Sequence, residues 1–297
     1  QNFMLKKIPF IVVHKGNQNY LKSCIFSLKK YHSTILLGNE ENKSIIKEWY
    51  DINSFNSEYY NRFDKCYVHM SSNSEVFEKN CFYRYIAMYE FAINKNITEF
   101  VHCDSDIILL DDCTPLLDEL SMFGAAYFIP DDQTNFRMTA SPHFCYWKIN
   151  VLKEFIEYFI TEYETGASIL KEKYKYHLKE KIPGGICDMT LLYLFSKQRK
   201  DIFNIFNHHK FYMNFNVATN ESTGCKRKDI IFNHQYKKIH NELFYYKKNS
   251  EEKKVLFLHM QGRTKKLMKY AESKKFKKLF FLISLLNIIR RVQRLIY

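Results

Sequence analysis

A chain of 297 residues with 46% hydrophobic and 17% aromatic side chains can bury a large core in one or two domains, which excludes a disordered protein. The formal charge of +13 is unevenly placed: residues 226–297 hold 20 Lys or Arg against 5 Asp or Glu, a net +15, which calls for an anionic partner there. Eight cysteines without a Cys-x-x-Cys pair point away from a zinc site or a dense disulfide framework and fit a reducing cytosol.

In chain order, IPFIVV predicts a buried strand from Ile8 to Val13. It is too short for a signal-peptide core, so no export is expected. A polar turn leads to a helix from about Tyr20 to Lys30, and STILLGNEENK supplies a second strand. Strand, helix and strand in succession predict a parallel α/β sheet. SEVFEKNCFYRYIAMYEFAINKN places Phe82, Tyr85, Ile86, Tyr89 and Ile93 at helical spacing and runs into FVHCDSDIILL, residues 100–110, read as one strand. Further strands are expected at 123–130 and 140–147, then a helix ending near Gly166. KEKYKYHLKEK reads as a polar helix or lid, PGGICDMTLLYLFSK opens another helix, and KKVLFLHM is a late strand. There is no internal repeat and no low-complexity linker.

Two carboxylates in an apolar strand need a reason. On a strand, Asp104 and Asp106 would point to the same face, at the carboxyl end where open α/β sheets bind ligands. Converging carboxylates repel unless a cation lies between them, and oxygen ligands suit Mg2+ or Mn2+. A metal held by two carboxylates keeps positions that a diphosphate can fill.

Asp104-Ser105-Asp106 resembles the Asp-x-Asp of nucleotide-sugar glycosyltransferases of the GT-A fold, and FLHMQGRTKK carries His259, Gly262 and Lys265 as H-x-x-G-x-x-K, a spacing found in the family 8 enzymes. The match departs after Lys265, where that family has Pro-Trp and this chain has Lys266-Leu267. The resemblance covers roughly residues 8 to 265 through short motifs. It implies that Asp104, Asp106 and His259 hold the metal, that Gly262 admits diphosphate to the backbone, and that Lys265 pairs with phosphate. It also implies that Arg84, in the helix ahead of Asp104, contacts the nucleotide-sugar donor, and that His143 lies at the donor sugar. For His143 a satisfied core histidine is an equal alternative. Tyr20 and Asn39 fall where such enzymes hold the nucleoside, although either residue suits an ordinary turn.

Asp188 follows Gly184 and Gly185, which would let backbone approach a ligand, and relatives have an acid near this point. The plainer reading is a helix N-cap. In an inverting enzyme Asp188 would be the general base; in a retaining one it would steady the oxocarbenium-like sugar, and the His259 motif tilts towards retention.

The C-terminal stretch KKFKKLFFLISLLNIIRRVQRLIY brackets the apolar run from Leu279 to Ile289 with Lys274, Lys275, Lys277 and Lys278 and with Arg290, Arg291 and Arg294. Such a run is too short to cross a bilayer, which takes about 20 residues, and suits a helix lying on an anionic leaflet. Docking on the domain's own core is the alternative. Nucleic acid is not expected, since no motif for it occurs.

The reading is a GT-A (Rossmann-like) α/β domain over residues 1–265, with a mixed, mostly parallel sheet flanked by helices, and a basic amphipathic tail over 266–297. Its function would be Mn2+- or Mg2+-dependent transfer of a sugar from a nucleotide-diphosphate donor, such as a UDP-sugar, to a glycan or lipid-linked glycan of the cell surface. It would act on the cytoplasmic face of the membrane. A metal-dependent nucleotidyl- or phosphoryl transferase and a non-enzymatic basic binding protein are the rivals.

Overall fold

The computed structural model describes residues 8–55, 57–213, 236–239, 243–248, 251–275, 278–279, 281–283, 285–286 and 289. The alternation begins as expected: β1 (Phe10–His14), α1 (Tyr20–Lys29), β2 (Thr34–Gly38), then a short β3 (Trp49–Asp51). Next come α2 (Glu58–Cys66), which the sequence reading did not anticipate, and the long α3 (Glu75–Asn94), capped by the Ser74 hydroxyl accepting from Phe77 N. β4 (Glu99–Cys103), β5 (Ile107–Leu109), α4 (Thr114–Leu120), β6 (Ala125–Phe128), β7 (Ser141–Lys148) and α5 (Ile149–Glu164) follow. The stretch expected as a polar helix or lid is α6 (Ser168–Lys179), ahead of α7 (Asp188–Lys197) and β8 (Ile202–Asn204). The last elements are β9 (Phe211–Met213), β10 (Tyr236–Ile239), β11 (Leu243–Lys248), β12 (Glu251–His259) and α8 (Met268–Glu272).

Seven strands form one sheet in the order β3-β2-β1-β4-β7-β6-β8. Only the pairings of β7 with β4 and β6 are antiparallel, so the sheet is mixed and mostly parallel. Its central strands read as unbroken apolar runs because both faces are covered. Alternate residues feed two cores: Phe10, Val12, Val101 and Cys103 face α1 and β12, whereas Ile11, Phe100 and Trp147 face α3, α5 and α7.

The expectation of a single strand over 100–110 is corrected. β4 belongs to the large sheet, but β5 pairs antiparallel with β12 in a second sheet of order β10-β11-β12-β5, with Ile107 opposite His259. Asp104, Ser105 and Asp106 form the turn between the sheets, with Ile107 N donating to Asp104 O at 3.2 Å. Both halves are equally apolar, so the sequence pattern does not show the change of partner.

The basic tail is seated on the domain. Met268, Ala271, Leu279 and Ile283 belong to the same buried cluster as Phe10 and Val12, and Lys30 pairs with Glu272 at 3.4 Å. On the helical residues beyond 278, Phe281, Leu285 and Ile289 are exposed, so one stripe of the helix faces the core and another faces solvent. No described helix is long and apolar enough to cross a membrane. Lys277, Arg290, Arg291 and Arg294 lie outside the described residues.

One buried cation organises the segment between β6 and β7. Asn135, Phe136 and Met138 there have φ of 55°, 52° and 36°, a left-handed conformation unfavourable for residues with a Cβ. Lys173 of α6 holds the segment: Nζ lies 2.9 Å from Arg137 O, 3.3 Å from Met138 O and 2.7 Å from Thr190 Oγ1. Burial, without a carboxylate partner, pushes this ammonium down to about 8. The neutral amine still fits, donating to both carbonyls and accepting from the Thr190 hydroxyl. Because the folded value lies below the ordinary 10.5, the unfolded chain holds the extra proton between those values, and the contribution of Lys173 to stability rises with pH. The unfolding free energy of the wild type relative to Lys173→Met is therefore expected to grow from pH 7.5 to 10, by on the order of 2–3 kcal/mol. Urea titrations giving a flat or falling difference would contradict this account.

Candidate active site

The β4–β5 turn is pinned from both sides. Asp104 N donates to His143 O of β7 at 2.9 Å, and Met260 N, just past β12, donates to Asp106 O at 2.8 Å. The two carboxylates thus face the end of β12, where His259 Nε2 lies 3.2 Å from Asp106 Oδ1. The ligating atoms of Asp104, Asp106 and His259 all lie within 4.8 Å of one another. Asp106 Oδ1 is buried, with no hydrogen bond completed to it. Two hard oxygen donors and one imidazole converging there fit Mg2+ or Mn2+, which would satisfy that oxygen.

Cations from two other elements balance the acids. Lys265 Nζ lies 3.0 Å from Asp106 Oδ2, and Arg84 Nη1 lies 2.9 Å from Asp104 Oδ1. Burial alone would raise the Asp104 carboxyl, but Arg84 first, with His102 and His259, holds it far below the usual carboxylate range. Burial also opposes ionisation of Asp106, and His259, with help from Lys265, again lowers it. Both acids are therefore charged at neutral pH. Lys265 itself is raised, because Asp106 outweighs the desolvation of the ammonium.

Arg84 also reaches Asp188 Oδ2, the oxygen that accepts from the Tyr85 hydroxyl at 2.9 Å. Asp188 Oδ1 accepts from Met189 N at 2.9 Å. The N-cap position of α7 is Cys187, so Asp188 is the first helical residue, with one oxygen on a first-turn N–H and the other on Arg84 and Tyr85. Gly185 serves a different purpose from the one expected. Gly185, at φ +150°, lies against the backbone of another segment: Ile186 N donates to Met70 O at 2.8 Å, and an added Cβ would sit 2.2 Å from Met70 O.

These residues line one cleft of about 810 Å³ that brings together Arg84, Asp104, Asp106, Asp188, Gly262 and Lys265, with Leu286 of the tail on its wall. Gly262, at φ +59°, starts the turn that carries Lys265, and glycine suits that left-handed start. His143 is enclosed instead, its ring stacked 4.3 Å from His259 at 5°, and burial keeps it neutral; Ser141 and Pro142 of the same strand face the cleft. Tyr20 lies beneath Lys265, with Nζ 5.0 Å from the ring centroid. Asn39 joins two loops, accepting from Gly16 N at 2.9 Å and from Asn42 Nδ2 at 3.0 Å. Neither is among the described residues of the cleft wall.

Sequence reasoning missed a second hollow of about 380 Å³ that opens beside Arg84, Phe77 and Val13 and continues over Ile52, Asn53, Phe55, Tyr60 and Asn80. Apart from Arg84, its residues come from segments that carry no motif. It also missed Glu78 of α3, which reaches the cleft wall six residues ahead of Arg84. A second possible metal group, Glu119 with His208 and His209, does not suit an ion. His208 Nδ1 accepts from Lys210 N and Phe211 N, so its proton sits on Nε2, facing Glu119 Oε2 at 3.1 Å.

No protein-family model matches the chain, and no curated protein matches it in sequence. Among solved structures it resembles mouse xyloside xylosyltransferase 1 in its apo form, at a TM-score of 0.50 and 9% identity, over 69% of this chain and 87% of that one. A glycosyltransferase involved in the glycosylation of the major capsid of PBCV-1 aligns over 90% of this chain and 98% of its own, at 10% identity and a TM-score of 0.43. A galactosyltransferase, LgtC, solved with donor and acceptor sugar analogues, aligns at 13% identity and a TM-score of 0.37, over 69% and 76%. The likeness to the mouse protein is one of fold, and it is the fold class that the motifs predict.

The close approach at Gly185 is testable. Gly185→Ala should destabilise the protein by more than about 2 kcal/mol, because backbone on both sides must shift. Gly184→Ala, with nothing within 4 Å of the new Cβ, should cost less. Equal midpoints in urea for the two variants would show that the 70–72 and 184–186 segments are not in contact.

Proposed function

We propose that this chain is a metal-dependent glycosyltransferase that moves a sugar from a nucleoside diphosphate donor to a hydroxyl of a glycan. The observation that carries the reading is the convergence of Asp104, Asp106, His259 and Lys265, from segments some 150 residues apart, at the mouth of a cleft that Arg84 and Asp188 continue inward. A divalent ion bound there would neutralise charge on the departing diphosphate. Lys265, a compact cation already facing Asp106, is placed to pair with the same phosphates, and Gly262 leaves its own face open to them. Asp188 has its lone pairs engaged by Arg84, Tyr85 and Met189 N, which favours a fixed negative charge beside the sugar over a proton acceptor and supports the retaining outcome. The second hollow, with an aromatic floor and the Asn53 and Asn80 amides, suits a nucleoside base such as uracil. A nucleotidyl transferase would use the same paired acids; analogy of fold with a xylosyltransferase favours sugar transfer.

The test is a calorimetric titration of UDP with and without Mn2+. The wild type should show synergy between the two. Asp106→Asn should lose it by at least about 100-fold while melting like the wild type, since an amide is a poor ligand for a hard ion. Lys265→Ala should weaken UDP by about 10-fold, and Lys266→Ala by less than about twofold. Mn2+-dependent UDP binding retained in Asp106→Asn would sink the assignment.

The tail supports a place for this reaction. Phe281, Leu285 and Ile289 form an exposed stripe on the helix whose other face is buried, and Lys275 and Lys278 are exposed beside it. We infer contact with an anionic leaflet on the cytoplasmic side, where lipid-linked glycans would be presented. Flotation with phosphatidylglycerol vesicles should drop by at least about 10-fold in Phe281→Ser/Leu285→Ser, and salt should weaken what remains. Unchanged flotation at every salt concentration would exclude this surface.

A further inference from the structure

We propose that Glu78 is the residue that holds a hydroxyl of the acceptor sugar, at the end of the cleft remote from the metal site. This inference rests on the transferase reading and names the part of the cleft that the acceptor occupies.

Glu78 is an unusual carboxylate. It is 1% exposed, yet it belongs to the cleft wall with Asn73, Cys81, Cys187 and Asp188. Its two oxygens differ. Oε1 accepts from the Ser71 hydroxyl at 2.7 Å and from Asn73 Nδ2 at 2.8 Å, whereas Oε2 is buried with no hydrogen bond to it. Two donors on one oxygen fix the orientation of the carboxylate and leave the other oxygen with its full accepting capacity. A buried carboxylate oxygen without a donor is costly, so its partner is expected to be something the structure does not itself supply.

The rest of the wall gives that partner its chemistry. Asp104 faces Arg84 and His102, Asp106 faces His259 and Lys265, and Asp188 is met by Arg84, Tyr85 and Met189 N. Among these acids, Glu78 is the one outside the metal group with an oxygen that meets no donor. No cationic side chain lies within ion-pair distance of it among the described residues, so a phosphate would be repelled and a neutral hydroxyl donor suits it. Position along α3 sets the order of occupants. Glu78 lies six residues, about 9 Å, before Arg84, which itself touches Asp104. Diphosphate at the metal, the transferred sugar beside Arg84 and Asp188, and the acceptor hydroxyl at Glu78 then follow one another along the cleft. Phe77, more than half exposed on the same wall, offers an apolar face for the acceptor ring.

The experiment uses the full chain loaded with Mn2+ and UDP, into which a panel of methyl hexosides and methyl pentosides is titrated. The wild type should bind at least one glycoside, and Glu78→Gln, which keeps the shape but turns an acceptor into a donor, should weaken it by at least 10-fold. Affinity for Mn2+ and UDP should stay within twofold. Glu78→Asp, which keeps the charge and withdraws the oxygen by one methylene, should also weaken the glycoside, so the test survives if the Gln variant misfolds. One monodeoxy glycoside should bind the wild type poorly and the Gln variant no worse than its parent sugar does, a coupling that a purely structural residue would not produce. Equal glycoside affinity in wild type and variants, parallel loss of UDP and glycoside, or no glycoside bound by the wild type would each overturn the inference while leaving the donor site intact. Failure of the wild type to bind UDP with Mn2+ would instead overturn the transferase reading, and this inference with it.

Discussion

Between Cys103 and Ile107 the chain leaves one sheet and enters another within three residues, and the geometry of the cleft depends on how that step is held. A backbone changing partners exposes polar groups that neither sheet satisfies. Here Asp104 N finds His143 O on one side, and Asp106 O receives Met260 N on the other. The turn is therefore not a loop lying over the fold but a joint clamped by β7 and by the end of β12. Both clamping strands bring an imidazole: His259 joins the acids, and His143 stacks behind it as a neutral platform.

The charges around the joint are balanced without being spent. Arg84 lies between Asp104 and Asp188, and Lys265 faces Asp106, so two cations serve three carboxylates. An arrangement of this kind is stable without an ion and still attracts one, because one net negative charge remains in a partly desolvated cleft. The same cations are those that a diphosphate would meet. On the proposed reading, ion and phosphate would enter as a pair, each compensating the other.

Part of the candidate site was legible because the residues concerned are close in sequence. Asp104-Ser105-Asp106 forms one turn, and His259 at the end of β12 is followed closely by Gly262 and Lys265, so the resemblance of both spacings to the family motifs grouped their members. The N-terminal strands and α3 were equally plain from apolar period. Other features depend on partners far along the chain. The polar residues between β4 and β5 read as a ligand site within one strand rather than as a change of sheet, since the cause of that change is the arrival of β12 some 150 residues later. Gly185 was read as clearance for a ligand, whereas the clearance is for Met70. Glu78 belongs to no motif, and its surroundings depend on the fold: Ser71 and Asn73 bond it, and residues 184–186 lie against residues 70–72. Asp188 carried the opposite difficulty: its position suggested a cap or a base, but Arg84 and Tyr85, over a hundred residues upstream, decide what it can do.

The seating of Leu279 and Ile283 beside Phe10 and Val12 ties the earliest strand to one of the latest helices. α1 covers Phe10 and Val12 early, but the part of the same cluster that Leu279 and Ile283 fill waits for a segment about 270 residues further along the chain. Contacts of such long sequence separation form slowly, and the uncovered part is meanwhile a surface for chaperones or for self-association. Loss of these helical residues would therefore open the cluster around Phe10 and Val12 and remove Leu286 from the cleft wall together.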